Sequence, residues 1–350
     1  MPNIEIQKFR LVLIYFLILG VFCAISLRML FVVGFGDKVK ISGIYGPRLV
    51  DERANIFDRN GILVATDLKT KSLYVSSVLV KDPKAIASGL SDIFSDLSYQ
   101  EVLQKISSKK NSKKWILIRR NLTPNQVDQV NDLQMAGLLF ENDRVRVYLQ
   151  KSIVSHFVGY VDLDRKGLAG MERQYNESLT KGQDLQLSLD IRVQDILHDE
   201  LINGVKEFDA KAAAGIVMDV TNGEIIALSS LPEFDPNLQY EANSTQRFNR
   251  VTNGVYELGS VFKIFTNAMA LDNDLIKRSD IYNVKDPIKQ GKFTIKDDHH
   301  VKDELSVDEI FANSSNIGTV KIAEKIGMDY QQEFLSKIGL LSKIDADFPG

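Results

Sequence analysis

The sequence predicts an α+β protein: an N-terminal membrane helix, then a strand-rich region, then a region in which helices flank a hairpin. Three observations predict it. No charged residue occurs from position 11 to position 27. Short strand-like runs separated by turn residues fill the stretch up to about position 180. Beyond it, apolar residues recur at helical spacing on either side of one clear hairpin.

The opening run continues past the lone Arg28 through Met29-Leu30-Phe31-Val32-Val33. A helix needs roughly 20 apolar residues to cross the hydrocarbon core, and 11–33 supplies that length. Lys8 and Arg10 precede the run, so by the positive-inside tendency residues 1–10 form a cytoplasmic tail. Residues 11–35 are then a single-pass anchor in the cytoplasmic (inner) membrane, with the bulk of the chain in the periplasm. The rival is a signal peptide cut at Ala24-Ile25-Ser26, but the apolar run continues beyond that site. The single cysteine, Cys23, lies inside the run and excludes an internal disulfide.

The remainder has ordinary composition: 44% hydrophobic and 25% charged residues among 350, enough for two or three domains. A net charge of −3 excludes a strongly basic nucleic-acid-binding surface, and no nucleic-acid partner is expected. The basic run 109–114 reads as a solvated loop.

Residues 37–185 read as a strand-rich α+β module. Arg53 to Ala65 forms two short strands around Asp58-Arg59-Asn60-Gly61, where Asn-Gly suits a tight turn. Further strands are expected over 72–80, 115–119 and 144–149. From position 190 the pattern changes. Asp190 is placed to cap a helix running to about Phe208. Residues 212–219 and 224–230 are the arms of a hairpin, nearly all apolar, which predicts a sheet covered on both faces.

Two polar constellations follow. Ser260 and Lys263, three residues apart, fall on one face of a helix that begins after Gly259, within reach of a hydrogen bond. A serine hydroxyl needs a base to become a nucleophile, and a lysine becomes a base when burial lowers its pKa. Val261, Phe262, Ile264, Phe265 and Ala268 supply apolar surroundings. The same S-x-x-K spacing recurs at Ser107 and Ser178, but in polar stretches where the lysine stays solvated. A capping serine beside an unrelated lysine is the competing explanation of Ser260. The second constellation is Asn313-Ser314-Ser315-Asn316, between a capping box (Ser306, Glu309) and a helix ended by Gly327. Taken alone it is either a turn or a site. Asp297-Asp298-His299-His300 resembles a metal ligand set, yet adjacent histidines in a strand face opposite ways and no further cluster completes a shell.

In this order the two constellations are those of penicillin-binding proteins and serine β-lactamases. Tyr256-Glu257-Leu258-Gly259-Ser260-Val261-Phe262-Lys263 resembles the active-site block of class B penicillin-binding proteins, with Leu258 where proline is usual. The hairpin Val217 to Ala227, Phe234-Asp235-Pro236-Asn237, Phe248-Asn249-Arg250 and Ser314-Ser315-Asn316-Ile317-Gly318 fit the same family. Arg53 to Gly61 and Gly167-Leu168-Ala169-Gly170-Met171-Glu172 resemble its non-catalytic pedestal.

The resemblance implies a pedestal (dimerisation-type) domain over 37–185 and the N-terminal part of a transpeptidase domain over 190–350. It implies a peptidoglycan D,D-transpeptidase working through a serine acyl-enzyme, of the division (septal) type, and a target of β-lactam antibiotics. Ser260 is the implied nucleophile, Lys263 its base, Ser314 the proton relay, and Ser315 and Asn316 substrate-binding residues. Implied partners are peptidoglycan stem peptides, the cytoplasmic membrane, a glycosyltransferase and other cell-division proteins. No organic cofactor or metal is implied. The family's Lys-Thr/Ser-Gly motif is absent, so the C-terminal part of the transpeptidase domain is expected to be missing. The alternatives are a non-catalytic membrane scaffold and a β-lactam hydrolase or sensor.

Overall fold

A computed structural model describes residues 15, 17–27, 52–107, 115–344 and 346–348. Two compact units emerge, one containing Leu68–Val145, the other Arg53–Asp67 together with Arg146–Gly350. Of the expected anchor, residues 15 and 17–27 are helical, with Leu17, Ile18, Val21, Phe22 and Leu27 exposed. The rest of the 11–35 segment and the 1–10 tail lie outside the described residues. No helix among the described residues is long and apolar enough to cross a membrane.

In the first unit, the outer part of strand Leu63–Ser76 pairs antiparallel with Trp115–Leu122, in the register Leu73↔Arg119 and Tyr74↔Leu117. Helix Pro83–Ile93 starts where it does because Asp82 accepts hydrogen bonds from the Lys84 and Ala85 amides and proline takes a first-turn position. Helix Pro124–Asp132 begins at a reciprocal Thr123/Gln126 capping box. Leu73, Val75, Leu90, Phe94 and Val130 fill the core between strands and helices.

The sequence places a separate strand over 72–80, but one strand runs unbroken from Leu63 to Ser76. Its inner residue Asp67 escapes a period-2 apolar reading because its buried side chain is polar. In the second unit Asp67 belongs to an enclosed ionic cluster. Glu172 accepts from Arg53 Nε at 2.7 Å and from Arg146 Nε at 2.7 Å. Asp67 accepts from the Arg53 amide at 3.0 Å and from Arg165 Nη1 at 2.6 Å. Arg53, Arg146, Asp67 and Glu172 are all buried. The Tyr148 phenol donates to Glu172 at 3.3 Å, and burial, then the Glu172 charge, push its pKa well up.

The glycine block keeps Glu172 in place. A Cβ on Gly167 would stand 1.9 Å from the Glu172 carbonyl oxygen, which itself accepts from Arg53 Nη2 at 2.9 Å. Gly167→Ala is therefore expected to destabilise the protein by about 1–3 kcal/mol or more, read as a lower urea midpoint at unchanged slope. An unchanged midpoint refutes the close approach.

The hairpin Ala213–Met218/Ile225–Leu231 pairs Gly215 with Ser229 and Val217 with Ala227. Helix Ile191–Glu207, capped by Asp190, lies along one face of it, with Leu197 against Gly215. The buried Gln194 side chain accepts from the Leu228 amide and donates to the Ile153 and Leu228 carbonyls, at 2.7–2.8 Å. The expectation of a sheet covered on both faces fails for the first arm. Ile216 and Met218 are 44% and 48% exposed, because no element among the described residues covers the face opposite the helix.

Candidate active site

The site forms where two helices of the second unit meet. Lys263–Asp272 packs against Asn316–Ile326, and Met269, Ile310, Ile317 and Ile322 close the core beneath them. Close approach also joins Val307–Ala312 to Asn316–Ile326: a Cβ on Gly318 would lie 2.5 Å from Ile310 Cγ1. The buried apolar stripes bring the helix starts together, and the starts carry the polar residues.

Ser260 lies on the 3₁₀ turn Gly259–Phe262, and Lys263 opens the α-helix that follows. In a 3₁₀ turn residues i and i+3 eclipse, so both side chains still share a face. Leu258, where the family has proline, adopts φ −65°. Proline is locked near that value, so leucine changes the stiffness of the approach rather than its path. Ser260 is exposed.

Lys263 Nζ donates to the Ser314 carbonyl at 2.5 Å, to Ser314 Oγ at 2.9 Å and to Asn316 Oδ1 at 2.6 Å. Three acceptors match the three donors of an ammonium. The structure thus brings Lys263, Ser314 and Asn316 together. It does not form the expected Ser260–Lys263 hydrogen bond. The flexible four-carbon stem reaches instead across to the turn, where acceptors are concentrated.

The expected apolar enclosure of Lys263 also differs. Val261 and Ile264 are 57% and 50% exposed, so the half-buried amine is shielded chiefly by the S-x-N turn. Burial still holds the Lys263 pKa below the usual lysine range. The carboxylates of Asp297 and Asp298 pull it the opposite way.

Ser314 carries φ +54°, a left-handed backbone that costs a non-glycine residue about 1–3 kcal/mol unless its surroundings impose it. That conformation aims its carbonyl at Lys263. Ser315 is 2% exposed, caps Asn316–Ile326 through the Gly318 amide, and donates to Asp297 Oδ2 at 2.7 Å. Asn316 Nδ2 donates to the Lys296 carbonyl at 2.9 Å.

Asp297, read from sequence as part of a candidate metal ligand set, has a place at this turn that sequence reasoning missed. Beyond Ser315 it accepts from the Ile317 amide at 2.9 Å. A lone carboxylate 18 residues before Ser315 carries no local signal of that contact. Among the described residues no group of three or more His, Cys, Asp or Glu side chains is placed to hold a metal ion.

Comparison with known proteins agrees with this architecture. Residues 49–186 match the penicillin-binding protein dimerisation domain, and residues 213–350 match the penicillin-binding protein transpeptidase domain. The chain is 35% identical over 303 residues to "Probable peptidoglycan D,D-transpeptidase FtsI" of Caulobacter vibrioides (strain NA1000 / CB15N), covering 85% of this chain and 51% of that protein. It is 31% identical over 332 residues to "Probable peptidoglycan D,D-transpeptidase PenA" of Neisseria gonorrhoeae, covering 85% and 56%. A crystal structure of a peptidoglycan synthetase from Bifidobacterium adolescentis ATCC 15703 superposes with TM-score 0.60 at 20% identity, covering 84% of this chain and 63% of that one, a likeness of fold. The chain spans about half the length of the curated relatives it matches. With its S-x-x-K turn set against its S-x-N turn and both domains matched in order, it belongs to the class B penicillin-binding proteins.

Proposed function

We propose that this chain carries the nucleophile half of a peptidoglycan D,D-transpeptidase that cross-links stem peptides in septal cell-wall synthesis. The observation that carries the reading is the convergence of Lys263 Nζ on Ser314 and Asn316, one 3₁₀ turn from Ser260.

In the resting arrangement the amine is an ammonium with all three protons engaged. Loss of one proton frees a lone pair, and the eclipsed position of Ser260 puts its hydroxyl on the same face of the turn as that amine. Lys263 takes the Ser260 proton as Ser260 Oγ bonds to the carbonyl carbon of the penultimate D-alanine. The C–N bond then breaks. The departing D-alanine amine receives a proton by way of Ser314 Oγ, which lies 2.9 Å from Lys263 Nζ. An amine from a neighbouring stem attacks the acyl-enzyme, gives up its proton to the same pair, and restores Ser260. Asn316 holds the donor's amide. A β-lactam stops at the first bond, because its ring amide opens onto Ser260 and the leaving nitrogen stays tethered.

The exposed apolar helix at 17–27 supports a single-pass anchor in the inner membrane, with a pedestal over 37–185 and transpeptidase sequence over 190–350. Cell-division proteins and a glycosyltransferase are the proposed partners. Mass spectrometry of the intact protein after penicillin treatment is expected to find one adduct, on Ser260. An adduct on any other side chain refutes the mechanism.

A further inference from the structure

Asp297 stands outside the S-x-x-K and S-x-N motifs, yet both of its carboxylate oxygens are engaged at the S-x-N turn. One oxygen accepts from Ser315 Oγ at 2.7 Å, and the other accepts from the Ile317 amide at 2.9 Å. These two bonds bracket Asn316, whose own Nδ2 donates to the carbonyl of Lys296, the residue before Asp297. The strand Phe293–Ile295 is thus followed at once by a residue pair that clamps the turn from outside.

The turn needs a clamp. Ser314 sits at φ +54° without glycine's freedom, and such a backbone persists only where neighbours over-determine it. Ser315 caps its helix and donates to Asp297 with the same hydroxyl, so the cap and the clamp are one unit. The three acceptors on Lys263 all belong to Ser314 and Asn316, the residues on either side of Ser315. We infer that Asp297 is a positioning residue for the acylation step: it holds Ser314 and Asn316 in the geometry that receives Lys263.

The inference rests on the proposed serine acylation. The charged groups acting on the Lys263 ammonium are Asp297 and Asp298, both on this segment, and both favour the protonated form. Asp298 makes no hydrogen bond to the turn among the described residues. This separates charge from clamping. Asp298→Asn removes a charge and leaves the clamp. Ser315→Ala removes the clamp's hydroxyl and leaves the charge. Asp297→Asn does both, keeping the side-chain shape and an oxygen for the Ile317 amide.

The test is the second-order rate of acylation by a fluorescent penicillin across pH, on the intact protein, with the adduct mapped in parallel. Asp297→Asn and Ser315→Ala are expected to lower the plateau rate roughly 10–100-fold, as misplacement of about an ångström does. Asp297→Asn and Asp298→Asn are expected to move the acid limb to lower pH, because the neutral amine appears sooner once a neighbouring anion is gone. Ser315→Ala is expected to leave that limb in place. A merely structural Asp297 gives the rate loss with no movement of the limb, and that result overturns the inference. So does a wild-type plateau in Asp297→Asn. Should Asp297→Asn fail to fold, Ser315→Ala on the plateau and Asp298→Asn on the limb decide the same two points. An adduct mapped away from Ser260 sinks the functional reading itself. An adduct on Ser260 with a wild-type Asp297→Asn profile sinks only the present inference.

Discussion

Lys263→Met is expected to lower the rate of Ser260 acylation by roughly 10²–10⁴-fold, the span that a positioned general base contributes. Methionine keeps the length and apolar stem of the side chain but removes the amine proposed to take the Ser260 proton. The pH dependence fixes the assignment. In the proposed mechanism the reactive form is the neutral amine, so the wild-type rate is expected to rise with pH through the Lys263 pKa. Burial lowers that pKa, which brings the acid limb below the usual lysine range. Lys263→Met is expected to lose the limb altogether. Lys263→Arg sharpens the test. Its guanidinium can donate to Ser314 and Asn316 but does not deprotonate, so it is expected to be as slow as methionine. Near-wild-type acylation in Lys263→Arg refutes the role of Lys263 as base. Stopped-flow fluorescence with a labelled penicillin makes the measurement.

Glu172→Ala is expected to cost about 3–5 kcal/mol of stability. The carboxylate is 0% exposed and pairs with Arg53 at 2.6 Å and with Arg146 at 2.7 Å. Removing it leaves the buried Arg53 guanidinium on neutral acceptors, the Arg165 and Glu172 carbonyls and Asn176 Oδ1, and leaves Arg146 facing Asp67 at 3.5 Å, a carboxylate already paired with Arg165. An uncompensated buried charge is far more expensive than the loss of the attraction itself. Glu172→Gln retains an acceptor of the same shape and is expected to lose less than alanine does. Urea denaturation followed by circular dichroism reads the midpoints. Equal stability of alanine and wild type shows that the carboxylate is not what holds Arg53 and Arg146. The cluster sits far along the chain from Ser260, so the folded fraction of either variant is expected to keep its penicillin adduct on Ser260.

Local chemistry is legible in this sequence wherever a backbone group is satisfied by a neighbour. Asp190, Ser306 with Glu309, and Gly327 mark helix ends, and each helix starts or stops where they stand, because capping acts within one turn. The hairpin around Asn222-Gly223 is legible for the same reason: its turn demands particular residues. Ser260, Lys263, Ser314 and Asn316 stand out through the resemblance to the penicillin-binding family, because each pattern alone also reads as a cap or a turn.

Contacts between distant segments are another matter. That Lys263 reaches Ser314 and Asn316 instead of Ser260, that Ser315 turns inward, and that Asp297 clamps the turn all depend on two helices meeting. The ionic cluster joins residues from 53 to 172, and its polar members look like surface residues when read along the chain. Sequence by itself determined the helix caps and the hairpin turn, since those follow from interactions a few residues long. Tertiary structure decided which proton donors and acceptors meet, since burial and long-range packing assign partners that no local pattern encodes.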